Sequence, residues 1–172
     1  KLDTLVQKKD IKKSEIIEHP NYVNELARYI ASDLREFRKI QGDETLGGMV
    51  ICETSEQARR LYEVFQEEWE KHQPKSQMFK LPDGTLLAAE PVTDYKSKYR
   101  PLKAGIILHD TDDKETRKQI VKDFKKNMTI DILIVFNMLL TGFDAPRLKR
   151  LYFGRKLKDH NLLQAITRVN RP

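Results

Sequence analysis

A chain of 172 residues that is 39% hydrophobic and 34% charged suits one globular domain with its own core and excludes a disordered polymer. The longest unbroken apolar run, Ile132 to Phe136, excludes a helical membrane span, which needs about 20 residues, and no basic-then-apolar leader opens the chain. The formal charge is +6, and residues 147–172 hold eight basic groups against one acid, so the excess belongs to the tail.

Residues 1–19 mix lysines with apolar groups and read as a connector or a short helix. From 20 to 40, Val23, Leu26, Ala27, Ile30, Leu34 and Phe37 recur at helical spacing with charges between them. That predicts an amphipathic helix with Pro20 in its first turn and Gly42 as its stop. Gly47-Gly48 reads as a turn. Met49 to Cys52 is a short apolar run, as expected of a strand buried on both faces. Cys52 is the single cysteine, which excludes an internal disulfide and fits a reducing, cytoplasmic setting. Thr54-Ser55 caps a helix from Glu56 to about Lys71, with Ala58, Leu61, Tyr62, Phe65 and Trp69 inward. Residues 72–101, broken by four prolines, read as an insertion with room for a hairpin across Pro82-Asp83-Gly84.

A regular rhythm then returns. Ala104 to Leu108 is a predicted strand, and Asp112 or Asp113 opens a helix to about Lys126, with Ile120, Val121 and Phe124 inward. Ile132 to Phe136 is the next strand, and Leu151-Tyr152-Phe153 the fourth. A last helix starts near Asn161, with Leu162, Leu163, Ile166 and Val169 apolar. Alternating strands and helices predict an α/β fold, a mostly parallel central sheet with helices on both faces. Ligands of such sheets bind beyond the carboxyl ends of the strands. Thr54-Ser55, His109-Asp110, Asn137 and Gly154-Arg155 fall at such ends. The chain divides into a helical connector, 1–45, and one domain, 46–172, with the insertion at about 72–101. It starts at Lys1 and stops just after a dense motif, so it is expected to be part of something longer.

The chain has no Gly-x-x-x-x-Gly-Lys-Ser/Thr phosphate loop, no paired-histidine metal spacing and no Gly-x-Ser-x-Gly elbow. His19, His72 and His160 read as ordinary residues, whereas His109 ends a strand and has a better claim to a role. Asn137 through Pro146 follows a buried strand. Gly142 there lets backbone approach a phosphate, and Asp144 could accept from a sugar hydroxyl; an ordinary turn fits equally. Gln164, Arg168 and Arg171 share one helical face, opposite Leu162, Leu163, Ile166 and Val169. Two guanidiniums so placed suit phosphate oxygens, although a solvated basic stripe has the same geometry. The other tail cations, Arg147 to Lys158, read as plain surface.

Together these segments resemble the second RecA-like domain of superfamily 2 helicases and translocases. Gln164-x-x-x-Arg168-x-x-Arg171 is similar to motif VI, Asn137 through Pro146 to motif V, and Met49 through Ser55 to motif IV. Met138-Leu139-Leu140-Thr141-Gly142-Phe143-Asp144-Ala145-Pro146 and Leu163 through Arg171 resemble, more narrowly, the motor (R) subunit of type I restriction–modification enzymes. The resemblance spans roughly 46–172 and is strong in 131–172.

The resemblance implies a RecA-like fold and an ATP-dependent DNA translocase within an endonuclease subunit. It makes Arg171 an arginine finger, with Arg168 beside it on the phosphates. Gln164, Asp144 and Gly142 would face the nucleotide or its cleft. Thr54, Ser55, Asn137 and Thr141 would lie on the DNA-backbone side, with His109 a weaker candidate. ATP and Mg2+ would be bound mainly by a first RecA-like domain that this chain lacks, so the 172 residues alone are expected to be inactive. Implied partners are double-stranded DNA, that first domain and a nuclease domain of the same chain, and the modification and specificity subunits; no membrane is expected. Rival readings are another superfamily 2 helicase or remodeller, or a non-catalytic nucleic-acid-binding module.

Overall fold

The computed structural model describes residues 12–72, 78–80, 86–88, 100–108, 113–136 and 145–154. A five-residue helix, α1 (Lys13–Ile17), precedes α2 (Pro20–Gln41). Pro20 occupies the first turn of α2, His19 Nδ1 accepts from the Asn21 amide at 3.2 Å, and Gly42 ends the helix at φ 66°. Then follow β1 (Gly47–Cys52), α3 (Ser55–Lys71), β2 (Met78–Lys80) and β3 (Leu86–Ala88). The last elements are β4 (Ala104–Leu108), α4 (Lys114–Lys122), a π-helical turn (Asp123–Asn127), β5 (Ile132–Phe136) and β6 (Leu148–Phe153). The expected hairpin is present: β2 and β3 pair antiparallel, Phe79 opposite Leu87. The expected helix from Asn161 lies outside the described residues.

Strands β1, β4, β5 and β6 form one sheet in the order β4-β5-β1-β6, every neighbour parallel. Side chains alternate between its faces. Val50, Cys52, Ile132, Ile134 and Tyr152 pack with Val23, Ala27, Ile30 and Leu34 of α2 and Ala58, Leu61 and Phe65 of α3. Met49, Ile51, Ile107, Leu133 and Val135 face the other way, onto Phe124 and the half-buried Ile120 and Val121. Helices thus cover both faces, which is why the strands read as continuous apolar runs. Burying each of these large aliphatic side chains contributes about 1.5–3 kcal/mol.

Three expectations need correction at the amino end of the sheet. Gly47 and Gly48 open β1 and do not form a turn. A Cβ on Gly47 would lie 2.7 Å from Phe124 Cζ, and one on Gly48 3.0 Å from Tyr152 Cε2. The pair is there because aromatic rings cross the strand too closely for a side chain. The fourth strand starts at Leu148, three residues earlier than expected, and its pairing with β1 shifts register between Gly47 and Gly48.

The third correction concerns Arg147, which is 6% exposed and not surface. Its Nε donates to the Thr45 carbonyl at 2.6 Å, and its NH1 to the carbonyls of Phe124 (2.7 Å) and Ile130 (2.8 Å). Burial lowers its pKa, and Asp131 opposes that shift. The turn that carries the Phe124 carbonyl is π-helical: the Met128 amide donates to Asp123, one residue earlier than in an α-helix. Close by, Asp131 is 1% exposed. It accepts from Arg38 (2.7 Å), Arg100 (2.9 and 3.0 Å) and the Lys103 amide (2.9 Å). Arg38, on the buried face of α2, also donates to the Leu46 carbonyl at 2.7 Å. Its aliphatic stem suits that face, and its charge has a partner.

Two substitutions test this description. Asp131→Ala leaves Arg38 buried and uncompensated, and should cost about 3–5 kcal/mol in urea unfolding. Gly47→Ala drives a methyl into the Phe124 ring and should cost about 1–3 kcal/mol by the same measurement.

Candidate functional site

Parallel pairing brings all four carboxyl ends to one edge. Cys52 pairs with Phe136, Phe136 with Leu108, and Ile51 with Phe153. The segments 53–55, 109–112, 137–144 and 155–172 follow those ends in sequence. Of the residues singled out above, Thr54 and Ser55 belong to the described part. His109, Asn137, Thr141, Gly142, Asp144, Gln164, Arg168 and Arg171 lie outside the described residues.

Thr54 is the N-cap of α3, and its hydroxyl accepts from the Gln57 amide at 3.0 Å. The same hydroxyl donates to Glu18 Oε1 at 2.6 Å. Ser55 is half-buried in the first turn. Gln57 Oε1 accepts from the Glu53 amide at 2.9 Å, a capping box displaced by one residue. Arg60 donates to the Glu18 carbonyl and to Glu56 at 2.7 Å, and Lys13 pairs with Glu53 at 2.6 Å. At the end of β6 the Gly154 amide donates to the Ile51 carbonyl at 2.8 Å. A Cβ there would meet that carbonyl at 3.0 Å and Gln57 Oε1 at 3.2 Å, so any larger residue would press on the end of β1.

Thr54 and Ser55 are therefore brought together with Gln57, Glu18 and Gly154. Sequence reasoning missed Gln57, although the Thr54-x-x-Gln57 spacing is a capping-box signature. Glu18 left no local signal, because it lies 36 residues from its partner. Among the described residues no group of three or more His, Cys, Asp or Glu could hold a metal, and no helix is long and apolar enough to cross a membrane. A groove between α2 and α3 at the opposite end of the sheet is lined by Arg28, Arg35 and Lys39 but also Glu36, Glu44 and Glu67. Its mixed charge selects no ligand.

Cys52 ends β1 on this edge, and burial pushes its thiol from 9.0 up to about 12. Burial and the hydrogen bond to Asp33 also raise the Tyr152 phenol. Both folded values lie above the unfolded ones, so their stabilising effect is complete below pH 9 and declines as pH rises from 9 towards 12. Cys52 should resist a water-soluble disulfide reagent at pH 8 until denaturant is added, and the urea midpoint should fall above pH 9.

Residues 44–172, well over half of the chain, match the family described as type I restriction enzyme subunit R domain 3. The type I restriction enzyme HindI endonuclease subunit of Haemophilus influenzae is 42% identical over 64 residues, which are 37% of this chain and 6% of that protein. The type I restriction enzyme SauCOLORF180P endonuclease subunit of Staphylococcus aureus is 53% identical over 51 residues, 30% of this chain and 6% of that protein. The matched stretch is thus a small part of either relative. With a parallel α/β sheet and this family match in hand, the chain belongs to the domain 3 family of type I restriction enzyme R subunits.

Proposed function

We propose that this domain is the second RecA-like lobe of an ATP-driven motor on double-stranded DNA, working inside a longer R subunit. The observation that carries the reading is the shared carboxyl edge of β1, β5, β4 and β6. Ligands of open parallel sheets bind beyond that edge. Asn137 through Pro146 follows β5 there in sequence, and Gln164 through Arg171 follows β6. The names of the relatives, endonuclease subunits, support DNA cleavage as the activity of the whole subunit.

In this reading Arg171 reaches the terminal phosphate of ATP and stabilises the charge that develops there. Arg168 binds the neighbouring phosphates, and Gln164, Gly142 and Asp144 line the cleft. Arg168 and Arg171 offer donors to phosphate oxygens and no ligand to a cation. ATP and Mg2+ would accordingly be held mainly by a first RecA-like domain of the longer subunit. Bound ATP supplies the free energy of phosphate transfer. Asn137, Thr141, Thr54 and Ser55, with His109, would contact the DNA backbone, which positions a motor without reading sequence. A nuclease domain in the same chain and the modification and specificity subunits complete the proposed assembly.

The test uses the full-length subunit. Arg171→Ala and Arg168→Ala should each abolish DNA-stimulated ATP turnover, Arg171→Ala by about a thousandfold or more, while duplex binding persists. Unchanged turnover in both variants would sink the motor assignment.

A further inference from the structure

Segment 12–19 makes a contact that the motor reading leaves unexplained. It lies against the amino end of α3, where Glu18 accepts the Thr54 hydroxyl hydrogen at 2.6 Å and its carbonyl accepts from Arg60. Lys13 pairs with Glu53, and Ile17 is 2% exposed. Helix α1 has five residues and no side-chain cap, far below the length at which a helix holds on its own. Its place on the domain depends on these contacts.

The Thr54 hydroxyl has one hydrogen to donate, and it is committed to Glu18, while the oxygen accepts from Gln57. A phosphate oxygen can take that proton only after Glu18 leaves. Charge acts in the same direction: among the described residues of this hydrogen-bonded cluster, Glu18, Glu53 and Glu56 outnumber Lys13 and Arg60, and repel an incoming phosphate. Yet the same helix end retains an unspent donor. Gln57 is wholly buried, and its Nε2 has no hydrogen-bond partner among the described residues. Buried donors of that kind call for an acceptor.

We propose that segment 12–19 is an autoinhibitory strap. Glu18 is a resident anion on Thr54, in the position that a DNA backbone phosphate takes, and DNA engagement displaces the strap. This rests on the assignment of Thr54 to the DNA side. Displacement exchanges one anion for another, so the charge of the duplex drives it and salt opposes it.

Amide hydrogen exchange in the full-length subunit, with and without a duplex oligonucleotide, tests both layers. Amides of 13–19 should exchange faster with DNA bound, and those of 55–58 more slowly. If DNA binds and 55–58 gain no protection, the DNA assignment of Thr54 fails and the strap falls with it. If 55–58 gain protection while 13–19 stay as slow as before, the strap alone is overturned. Glu18→Ala should tighten duplex binding about two- to fivefold, and Glu18→Gln, which keeps an acceptor but no charge, by less. Equal affinity in the wild type and both variants also overturns the strap.

Discussion

Asp131 is 1% exposed, and an unpartnered carboxylate at that depth would be severely destabilising. It is tolerated because donors from three parts of the chain converge on it: Arg38 of α2, Arg100, and the Lys103 amide leading into β4. Its backbone is engaged as well, donating to the Lys103 carbonyl and accepting from the Gly48 amide. One residue therefore fixes where α2, β1, β4 and β5 stand relative to one another. An apolar cluster would hold these elements together with less discrimination, since burial is non-directional. A one-residue slip of β5 would strand both the carboxylate and Arg38, so the network penalises wrong registers far more heavily than it rewards the right one.

The two ends of the sheet are built differently. At the amino end the polar groups are spent on the fold: Arg147 donates to three carbonyls, one of them that of Phe124 in the π-helical turn. At the carboxyl end β1 stops at Cys52 and Gly154 crosses it closely, leaving α3 to begin beside the ends of the neighbouring strands. The buried Arg38–Asp131 pair and Arg147 thus lie away from the edge where the ligands of such sheets bind.

Much of this was legible in the residues. The strands 104–108 and 132–136 emerge with the expected limits and the helix from Pro20 within one residue of them, because their apolar patterns match the burial that shapes them. Gly47-Gly48 misled because a glycine pair signals a turn locally, while its real cause is the Phe124 ring, 77 residues away in sequence. Arg147 misled for a related reason. Charge is read as surface, and only the long-range partner reveals otherwise. At the candidate site the cap at Thr54 was legible from hydroxyl and spacing, whereas its bond to Glu18 depends on how α1 folds back, which no local pattern encodes.

The Arg100–Asp131 pair has a consequence for how such a domain changes over generations. Helix α3 runs from the carboxyl edge to the amino edge, and the chain returns to the sheet through Arg100, clamped on Asp131. The stretch between His72 and Arg100 is thus tied at both attachment points to the far side from the ligand edge. A lineage could lengthen, shorten or rewrite that stretch while β4 still starts from the same anchor.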